Sequence, residues 1–205
     1  MPARSSEASA INRKVEKGQA TRRQLVGAAT GLFATRGYEA TSVEAVLDEA
    51  GVSRGALYHH FEDKRALFEA VLEAVETDLA AVVLRAAEAS GDPRKSLQAG
   101  CRAWLGSLRD PVVRRIVLVD APSVVGWERW REIDECHWFG LLKEGLAEAL
   151  PPGRHDPTTV DVLAHMLLAA LNELAFVIAR AEDADAAARA GEAALGDLLE
   201  RLLAA

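Results

Sequence analysis

Residues 41–68 constrain the fold of this chain most strongly, because they predict two short helices joined by a glycine turn. Thr41 can cap the first helix, and Glu44 three residues later completes a capping-box pattern. Gly51 ends that helix, since glycine tolerates the positive φ that is common just past a helix C-terminus. Ser53 can then cap a second helix that runs to about His60.

The side chains of the second helix divide into an inner and an outer set. Leu57 and Phe61 face inward and are predicted to belong to the core. The outward positions are Arg54, Gly55, Ala56, Tyr58, His59 and His60. A third helix is predicted to begin near Lys64, after a possible cap at Asp63. This order of helix, glycine-containing turn and outward-facing helix is typical of helix-turn-helix proteins, which place the second helix in the DNA major groove.

A wider signature surrounds this segment. Its first part lies upstream and consists of Ala28, Leu32, Phe33, Gly37 and Tyr38. Its second part consists of Thr41, Val46, Ala50, Gly51, Val52, Ser53, Leu57, Tyr58, Phe61, Lys64 and Leu67. Together these residues resemble the TetR (tetracycline-repressor-like) family of transcriptional regulators. The resemblance implies a homodimer that binds a palindromic operator in double-stranded DNA and releases it when a small molecule enters the C-terminal domain.

The resemblance also implies which residues meet the DNA backbone. Tyr58 and His59 are similar to a phosphate-contacting pair of the family. Lys64 is similar to its phosphate-contacting lysine, and Thr41 to a hydroxyl that meets the backbone. The alternative for Tyr58 is a partly buried aromatic side chain.

Direct reading of base edges rests on fewer residues. Arg54 can bind O6 and N7 of guanine, whereas Gly55 and Ala56 offer only a close backbone approach or contact with a thymine methyl group. Sequence specificity is therefore expected from Arg54, the N-terminal arm and DNA shape. The full set predicted to contact DNA is Arg23, Thr41, Ser42, Ser53, Arg54, Gly55, Ala56, Tyr58, His59, His60 and Lys64.

The distribution of charge agrees with a DNA-binding N-terminal part. The net charge of −7 over the whole chain argues against binding to nucleic acid. Residues 1–68, however, hold ten Lys and Arg against eight Asp and Glu, and the remaining chain holds fourteen against twenty-three. A basic head on an acidic body is what a DNA-reading domain joined to an effector domain should show. For residues 1–16 alone, a solvated basic tail without a partner stays open.

The composition predicts an all-α chain of about nine helices, because the long segments favour Ala, Leu, Glu and Arg over β-branched alternation. The predicted helices are 17–36, 41–50, 54–60, 64–90, 93–109, 111–119, 126–150, 158–181 and 185–203. The predicted domains are a disordered basic arm (1–16), an N-terminal three-helix helix-turn-helix DNA-binding domain (17–68) and a C-terminal helical ligand-binding and dimerisation domain (69–205).

Tryptophans are concentrated in the predicted C-terminal domain. Aromatic residues at helical spacing are typical of a core, but the family resemblance implies a ligand pocket in this region. The candidate pocket residues are Trp104, Trp127, Trp130, Trp138, Met166 and Asn172, and they favour an apolar or aromatic effector. Asn172 and Glu173 interrupt an apolar helix, so each faces either a ligand or a hydrogen-bonding neighbour.

The last two helices are predicted to form the dimer interface, where two helices from each subunit would give a four-helix bundle. The candidate interface residues are Leu163, Leu167, Leu171, Leu174, Ile178, Leu195, Leu198, Leu199 and Leu202. The alternative is that these apolar stripes pack only within the subunit.

Other classes of function fit the sequence less well. The pattern G-x-S-x-G at residues 51–55 matches the nucleophile elbow of α/β-hydrolases, but that elbow needs a preceding strand where this chain predicts helix. Asp134 and His137 alone share a helical face among four neighbouring potential ligands, so a solvated charged face is favoured over a metal site. We therefore expect no enzyme activity, metal or cofactor. A helical small-molecule-binding and dimerisation module without operator binding is the remaining alternative.

The sequence also favours the cytoplasm. Its two cysteines lack metal-site or CxxC spacing, and residues 5–17 contain no apolar core of a secretory signal. The apolar run 162–179 approaches the length of a membrane span but contains His165, Asn172 and Glu173. These polar groups favour a buried helix over a transmembrane one, so no membrane association is expected.

Overall fold

The computed structural model describes residues 3–151, 153 and 156–204, and the side chains of residues 3–14 lie outside this description. Over the described residues the chain is helical and contains no strand, which confirms the all-α prediction. Nine continuous helical segments follow one another in this part of the chain: α1 (Ala3–Arg36), α2 (Val43–Ala50), α3 (Arg54–His60), α4 (Lys64–Glu88), α5 (Pro93–Ser107), α6 (residues 111–124), α7 (Trp127–Ala149), α8 (Pro157–Arg180) and α9 (Ala184–Leu203).

Helix α1 begins at Ala3 rather than near Lys17, so the segment expected to be a disordered arm is helical from residue 3 onwards. Residues 3–17 contain neither proline nor glycine. Extending an existing helix needs no new nucleus, so good helix formers upstream of a stable helix continue it. The functional assignment of this segment as a basic arm stays a prediction.

Helix α6 differs most from the expected pattern. It consists of an α-helical turn (Pro111–Val113), a π-helical segment (Arg114–Asp120) and a second α-helical turn (Ala121–Val124). The sequence predicts a break at residues 121–123 because Pro122 cannot donate a backbone hydrogen bond. The π-helical segment ends two residues before this proline and changes the hydrogen-bonding register, and the helix continues through Pro122.

The chain divides into two compact units between Ala74 and Val75, inside α4. In the first unit α1, α2 and α3 pack against one another. Leu25, Ala29 and Phe33 of α1 are completely buried. The remaining core of this unit includes Val46, Leu57, Phe61, Leu67 and Phe68. The assignment of residues 17–68 and 69–205 as separate functional domains stays a prediction.

In the second unit α7 packs against α5 and α8, and α8 packs against α9. The largest fully buried side chains of this unit are Trp130, Leu105, Ile116, Leu146, Leu195 and Leu199. Helix α8 is long and apolar enough to cross a membrane, and 44% of its most apolar stretch is buried. Because its inner face packs on α7 and α9, α8 is a core helix of this unit.

Candidate DNA interface and effector cavity

Serine caps and a glycine turn position α2 and α3. Ser42 caps α2, since its hydroxyl oxygen accepts the Ala45 N–H at 3.1 Å. Ser53 caps α3 in the same way, accepting the Ala56 N–H at 3.3 Å. Gly51 lies between them with a φ of 66°, a left-handed conformation that favours glycine. The helix-turn-helix predicted from the sequence is therefore present, with Ser42 as the first cap.

Thr41 is not the cap of α2, contrary to the prediction, and its burial in the protein is unfavourable to the predicted DNA contact. Its side chain is completely buried. Its hydroxyl lies 2.8 Å from the Gly37 carbonyl oxygen and 3.3 Å from that of Leu32, to which it can donate. The single hydroxyl hydrogen is directed to a carbonyl group at the end of α1, with the shorter distance to Gly37, and the side chain is buried away from solvent.

The outer face of α3 matches the predicted contact surface at most positions. Arg54, Gly55 and His59 are exposed, Ala56 is half-buried, and Tyr58 is 48% exposed. Tyr58 is therefore partly buried, as the alternative expects, and the exposed part of its side chain is available for contact with DNA. Leu57 and Phe61 lie in the core, as predicted.

Arg54 forms an exposed ion pair with Glu44 of α2. Both side chains are 59% exposed. Exposed ion pairs contribute only about 0–1 kcal/mol, because water and salt screen them. Arg54 can therefore exchange Glu44 for a base or a phosphate at little cost.

His60, at the end of α3, is half-buried and lies beside Gly18 of α1. Its Cε1 atom would be 3.8 Å from a Cβ placed at Gly18, and its ring lies 6.4 Å from that of Phe61. Partial burial lowers the pKa of His60, and the neighbouring His59 and Arg22 lower it further. His60 is thus half-buried beside α1, and its contact with DNA stays a prediction.

Lys64 is bound within the protein. Its Nζ donates to the carbonyl oxygens of Tyr38 at 2.8 Å and Thr41 at 3.0 Å. The same nitrogen lies 4.0 Å from the centroid of the Tyr38 ring, a cation–π geometry. Two of its three N–H groups thus fix the turn before α2, and only the third is left for a phosphate.

The remaining predicted DNA contacts are exposed. Arg23 lies on the surface of α1, and Ser42 and Ser53 are exposed at the N-termini of α2 and α3. Each serine oxygen accepts a bond as a cap, and the hydroxyl hydrogen is available to donate. The hydrolase alternative fails here, because α2 and not a strand precedes Ser53.

The second unit contains an apolar cavity of about 190 Å³. Trp104 and Trp138 form part of its wall, and their ring centroids lie 6.4 Å apart at an interplanar angle of 80°. Further lining residues come from the end of α4, from α5 and α7, and from Leu168 and Leu171 of α8. Two of the six predicted pocket residues, Trp104 and Trp138, thus line this cavity.

The other four predicted pocket residues, Trp127, Trp130, Met166 and Asn172, lie outside the lining of this cavity. Trp127 is 53% exposed, and Trp130 is buried, where its indole N–H donates to the Val117 carbonyl oxygen at 3.0 Å. Met166 is 63% exposed. Trp127 and Trp138 share a helical face, but eleven residues separate them by about 16 Å along the axis, so one small cavity cannot reach both.

A buried polar cluster lies beside the cavity wall. Glu76 accepts the Trp138 indole N–H at 3.0 Å, and Asp134 accepts the Asn172 amide N–H at 2.6 Å. The prediction of a solvated face is wrong for Asp134, which is buried. The amide N–H of Asn172 thus has a protein partner, whereas its Oδ1 has no hydrogen-bond partner among the described residues. Glu173 is exposed.

Burial changes the protonation of this cluster. It raises the pKa of Glu76 to about 8, with a further contribution from the negative charge of Asp134. Burial also raises the pKa of Asp134 to about 6, although the hydrogen bond from Asn172 opposes this shift. At neutral pH Glu76 is therefore mostly protonated and Asp134 mostly ionised.

The predicted dimer interface is partly wrong. Five of its nine residues are buried within the subunit: Leu167, Leu171, Ile178, Leu195 and Leu199. Leu198 of α9, which belongs to the predicted set, is 48% exposed, and the other large exposed apolar residues of the last two helices are Val162, Met166 and Val177 of α8, which the prediction omits. Because α8 is apolar on both faces, periodicity does not distinguish its inner face from its outer one.

Two family profiles match most of the chain. The profile described as "Bacterial regulatory proteins, tetR family" matches residues 25–71, which include the helix-turn-helix. The profile described as "Tetracyclin repressor-like, C-terminal domain" matches residues 95–202, more than half of the chain. The chain belongs to the TetR family of transcriptional regulators.

Solved structures share the fold of this TetR-family protein. A TetR-family transcriptional regulator from Pectobacterium atrosepticum is 32% identical, with a TM-score of 0.77, and the match covers 93% of this chain and 97% of that one. The structure of RolR in complex with resorcinol is 18% identical, with a TM-score of 0.66 over 93% of this chain and 96% of that one. At that identity the likeness shows the fold alone.

Curated relatives of this TetR-family protein include HTH-type transcriptional regulators. The repressor KstR2 of Rhodococcus jostii is 36% identical over 134 residues, which cover 62% of this chain and 66% of the relative. The activator FasR of Mycolicibacterium smegmatis is 39% identical over 83 residues, covering 40% and 38%. The chain thus matches between about two fifths and two thirds of the length of these relatives. The family assignment makes it a DNA-binding transcriptional regulator.

Proposed function

We propose that this protein is a homodimeric repressor that binds a palindromic operator through α3 and leaves it when a small molecule occupies the cavity of the second unit. The observation that carries the proposal is the outer face of α3, where Arg54, Gly55, Tyr58 and His59 are exposed. Two capped helices around Gly51 hold this face rigidly. Such a face suits insertion into the major groove.

The exposed residues take different roles at the DNA. Arg54 reads a guanine, because its guanidinium is suited to bidentate contact with O6 and N7. Tyr58 and His59 contact phosphates and set the register of the protein on the duplex. The hydroxyl hydrogens of Ser42 and Ser53 add further phosphate contacts. Arg23 and the third N–H of Lys64 complete the proposed set.

A second copy of the chain covers the exposed apolar residues of α8 and α9. Val162, Met166 and Val177 are each more than half exposed, and Leu198 is 48% exposed. Leaving several large apolar side chains on neighbouring helices in water is unfavourable, so a two-fold contact that buries them stabilises a dimer. A palindromic operator needs such a two-fold protein.

The effector acts through differential affinity for two states of the protein. Helix α4 supplies Lys64, which fixes the turn before α2, and also Val83, Leu84 and Ala87 of the cavity wall. One of these states binds DNA more weakly than the other. A ligand whose affinity is higher for that state shifts the population towards it. The apolar cavity favours an apolar or aromatic molecule.

Repression is proposed because KstR2, a repressor, matches a longer part of the chain than the activator FasR does. The protein acts in the cytoplasm, where its operator lies. Deletion of the gene should raise transcription from the promoter beside the bound site. A fall in transcription would instead make the protein an activator.

Selection of genomic DNA fragments by the purified protein tests operator binding. We expect enrichment of an inverted repeat whose half-sites are one helical turn apart, about 10–10.5 base pairs, or a multiple of it. Repeating the selection with the Arg54→Ala variant in place of the wild type should give weaker enrichment of this sequence. A wild-type protein that enriches no common sequence would contradict the proposal.

A further inference from the structure

The cavity of the second unit is lined by acidic but not by basic side chains. Its ionisable lining residues are Glu144, Glu148 and Cys101, and the lining described by the structure includes no Lys, Arg or His. Burial raises the pKa of the Cys101 thiol to about 12, so this group stays neutral. Any charge that the lining carries is therefore negative.

Further acidic groups lie behind the cavity wall. Glu76 accepts the indole N–H of Trp138, and Asp134 lies one turn before Trp138 on α7. Neither carboxyl group forms an ion pair with any described residue. Arg131, a nearby cation that lowers the pKa of Asp134, is itself paired with Glu135 at 2.6 Å. Because Glu76 is mostly protonated at neutral pH, the negative charge behind the wall formed by Trp138 comes from Asp134, and Arg131 and His137 offset part of it.

The size and the aromatic wall of the cavity limit the ligand further. Its volume of about 190 Å³ somewhat exceeds the roughly 150 Å³ of an engineered apolar cavity that binds benzene. A molecule with a single ring and a short side chain fits this space. Trp104 and Trp138 meet edge to face, and a further aromatic ring packs favourably against such a pair.

We propose that the effector is a small organic cation, an arylalkyl amine whose ring lies against Trp104 and Trp138 and whose ammonium group lies at the mouth beside Glu144 and Glu148. This inference rests on the proposed function, because it names the chemistry of the proposed effector. Glu144 and Glu148 are exposed and one helical turn apart on α7. An ammonium group between them keeps its contact with water, which avoids the cost of burying an isolated charge. An anion of the same size is repelled by the same carboxyl groups.

Calorimetric titration of the full-length protein with three probes of similar size tests the charge of the ligand. The probes are 2-phenylethylammonium, the neutral 2-phenylethanol and the anionic phenylacetate. We expect the cation to bind at least about tenfold more tightly than the alcohol, and phenylacetate to bind most weakly. Equal or tighter binding of the alcohol or the anion would overturn the inference, as would no measurable binding of any probe.

A double variant, Glu144→Gln with Glu148→Gln, tests the position of the charge. We expect its affinity for 2-phenylethylammonium to fall to that of the alcohol, while its affinity for the alcohol is unchanged. Glu128→Gln, which neutralises an exposed acid on the same helix outside the cavity, serves as the control. An unchanged preference for the cation in the double variant would overturn the proposed site.

Release of operator DNA separates this inference from the proposed function. Binding of the cation with the expected preference but without release upholds the charge of the site and contradicts its role as the effector site. Release by a neutral or anionic molecule that occupies the cavity supports the proposed function and overturns the inference.

Discussion

At the scale of single residues, the exposed ion pair between Arg54 and Glu44 leaves Arg54 free to read DNA. We expect Arg54→Ala to weaken operator binding by about 1–3 kcal/mol, the usual contribution of a bidentate contact to base discrimination. Binding to random duplex should change much less, since it depends on phosphate contacts. Titration of both duplexes measures the difference, and Arg102→Ala, an exposed arginine of α5, controls for the lost charge. Equal losses on both duplexes would show that Arg54 does not read a base.

Lys64 has a structural role that the sequence does not reveal. We expect Lys64→Met to lower the free energy of unfolding by about 1.5–3 kcal/mol, because hydrogen bonds from a charged donor hold the Tyr38 and Thr41 carbonyl groups. Urea denaturation measures the change, with Lys17→Met on exposed α1 as the control. If Lys64→Met weakened DNA binding but left stability unchanged, the side chain would act only as a phosphate contact.

At the scale of helices and turns, two glycines four residues apart should respond to alanine in opposite ways. Gly51→Ala should destabilise the protein by roughly 1–2 kcal/mol, because residue 51 has a φ of +66°. Gly55→Ala should stabilise it by about 0.5–1 kcal/mol, because Gly55 lies within α3 and a Cβ there meets no atom within 4 Å. Thermal and urea unfolding distinguish the two signs. A tolerated Gly51→Ala would contradict the left-handed turn.

Local signals in the sequence predict these elements well. Gly51 and the apolar spacing around it fix the turn and the inward side of Leu57 and Phe61. The same signals fail where tertiary contacts decide between neighbouring candidates. Thr41 and Ser42 are both acceptable caps by sequence, and the packing of Thr41 against the end of α1 leaves the cap to Ser42.

The lining of the pocket and the residues of the dimer interface are harder to predict than the helix-turn-helix for a similar reason. Helix α8 is apolar on most sides, so the sequence cannot tell that Leu167 and Leu171 face inward while Met166 faces outward. The burial of Asp134 follows from its bond to Asn172, which is remote in sequence. The charges around Asp134 on α7 indicate a solvated face and give no sign of that bond.

At the scale of the whole molecule, the buried pair of Glu76 and Asp134 makes stability depend on pH. Burial raises the pKa of Glu76 from its ordinary value of 4.5 to about 8, so the folded protein holds this proton more tightly than the unfolded chain does. The stabilising contribution of the proton is complete below about pH 4.5 and is lost as the pH rises through 8. The contribution of Asp134 has the same sign and is lost as the pH rises through about 6.

Glu76→Gln should therefore flatten the fall in stability between about pH 5 and 8. Urea denaturation at several pH values measures the slope, and Asp78→Asn, an exposed residue on the same helix, is the control. A slope that is the same in the wild type and in Glu76→Gln would mean that Glu76 does not hold a proton in the folded protein at neutral pH.

The dimer proposed above makes a separate prediction for the assembled molecule. We expect Met166→Asp to shift the protein from dimer to monomer, because a charge would be buried where two copies meet. Val119→Asp places the same charge at an apolar residue that is exposed elsewhere in the second unit. Sedimentation equilibrium measures both variants. If Val119→Asp dissociated the dimer and Met166→Asp left it intact, the interface would not lie on α8.

Fluorescence anisotropy tests operator recognition most directly. The full-length protein is titrated with the fragment that it selects from genomic DNA, over a range of salt concentrations and in competition with random duplex. We predict saturable binding that weakens as salt rises and exceeds binding to random duplex by about a thousandfold or more. A reduction of this preference by about 1–3 kcal/mol in Arg54→Ala would show that α3 contributes to it. Binding to the selected fragment that is no tighter than binding to random duplex would contradict operator recognition by this protein.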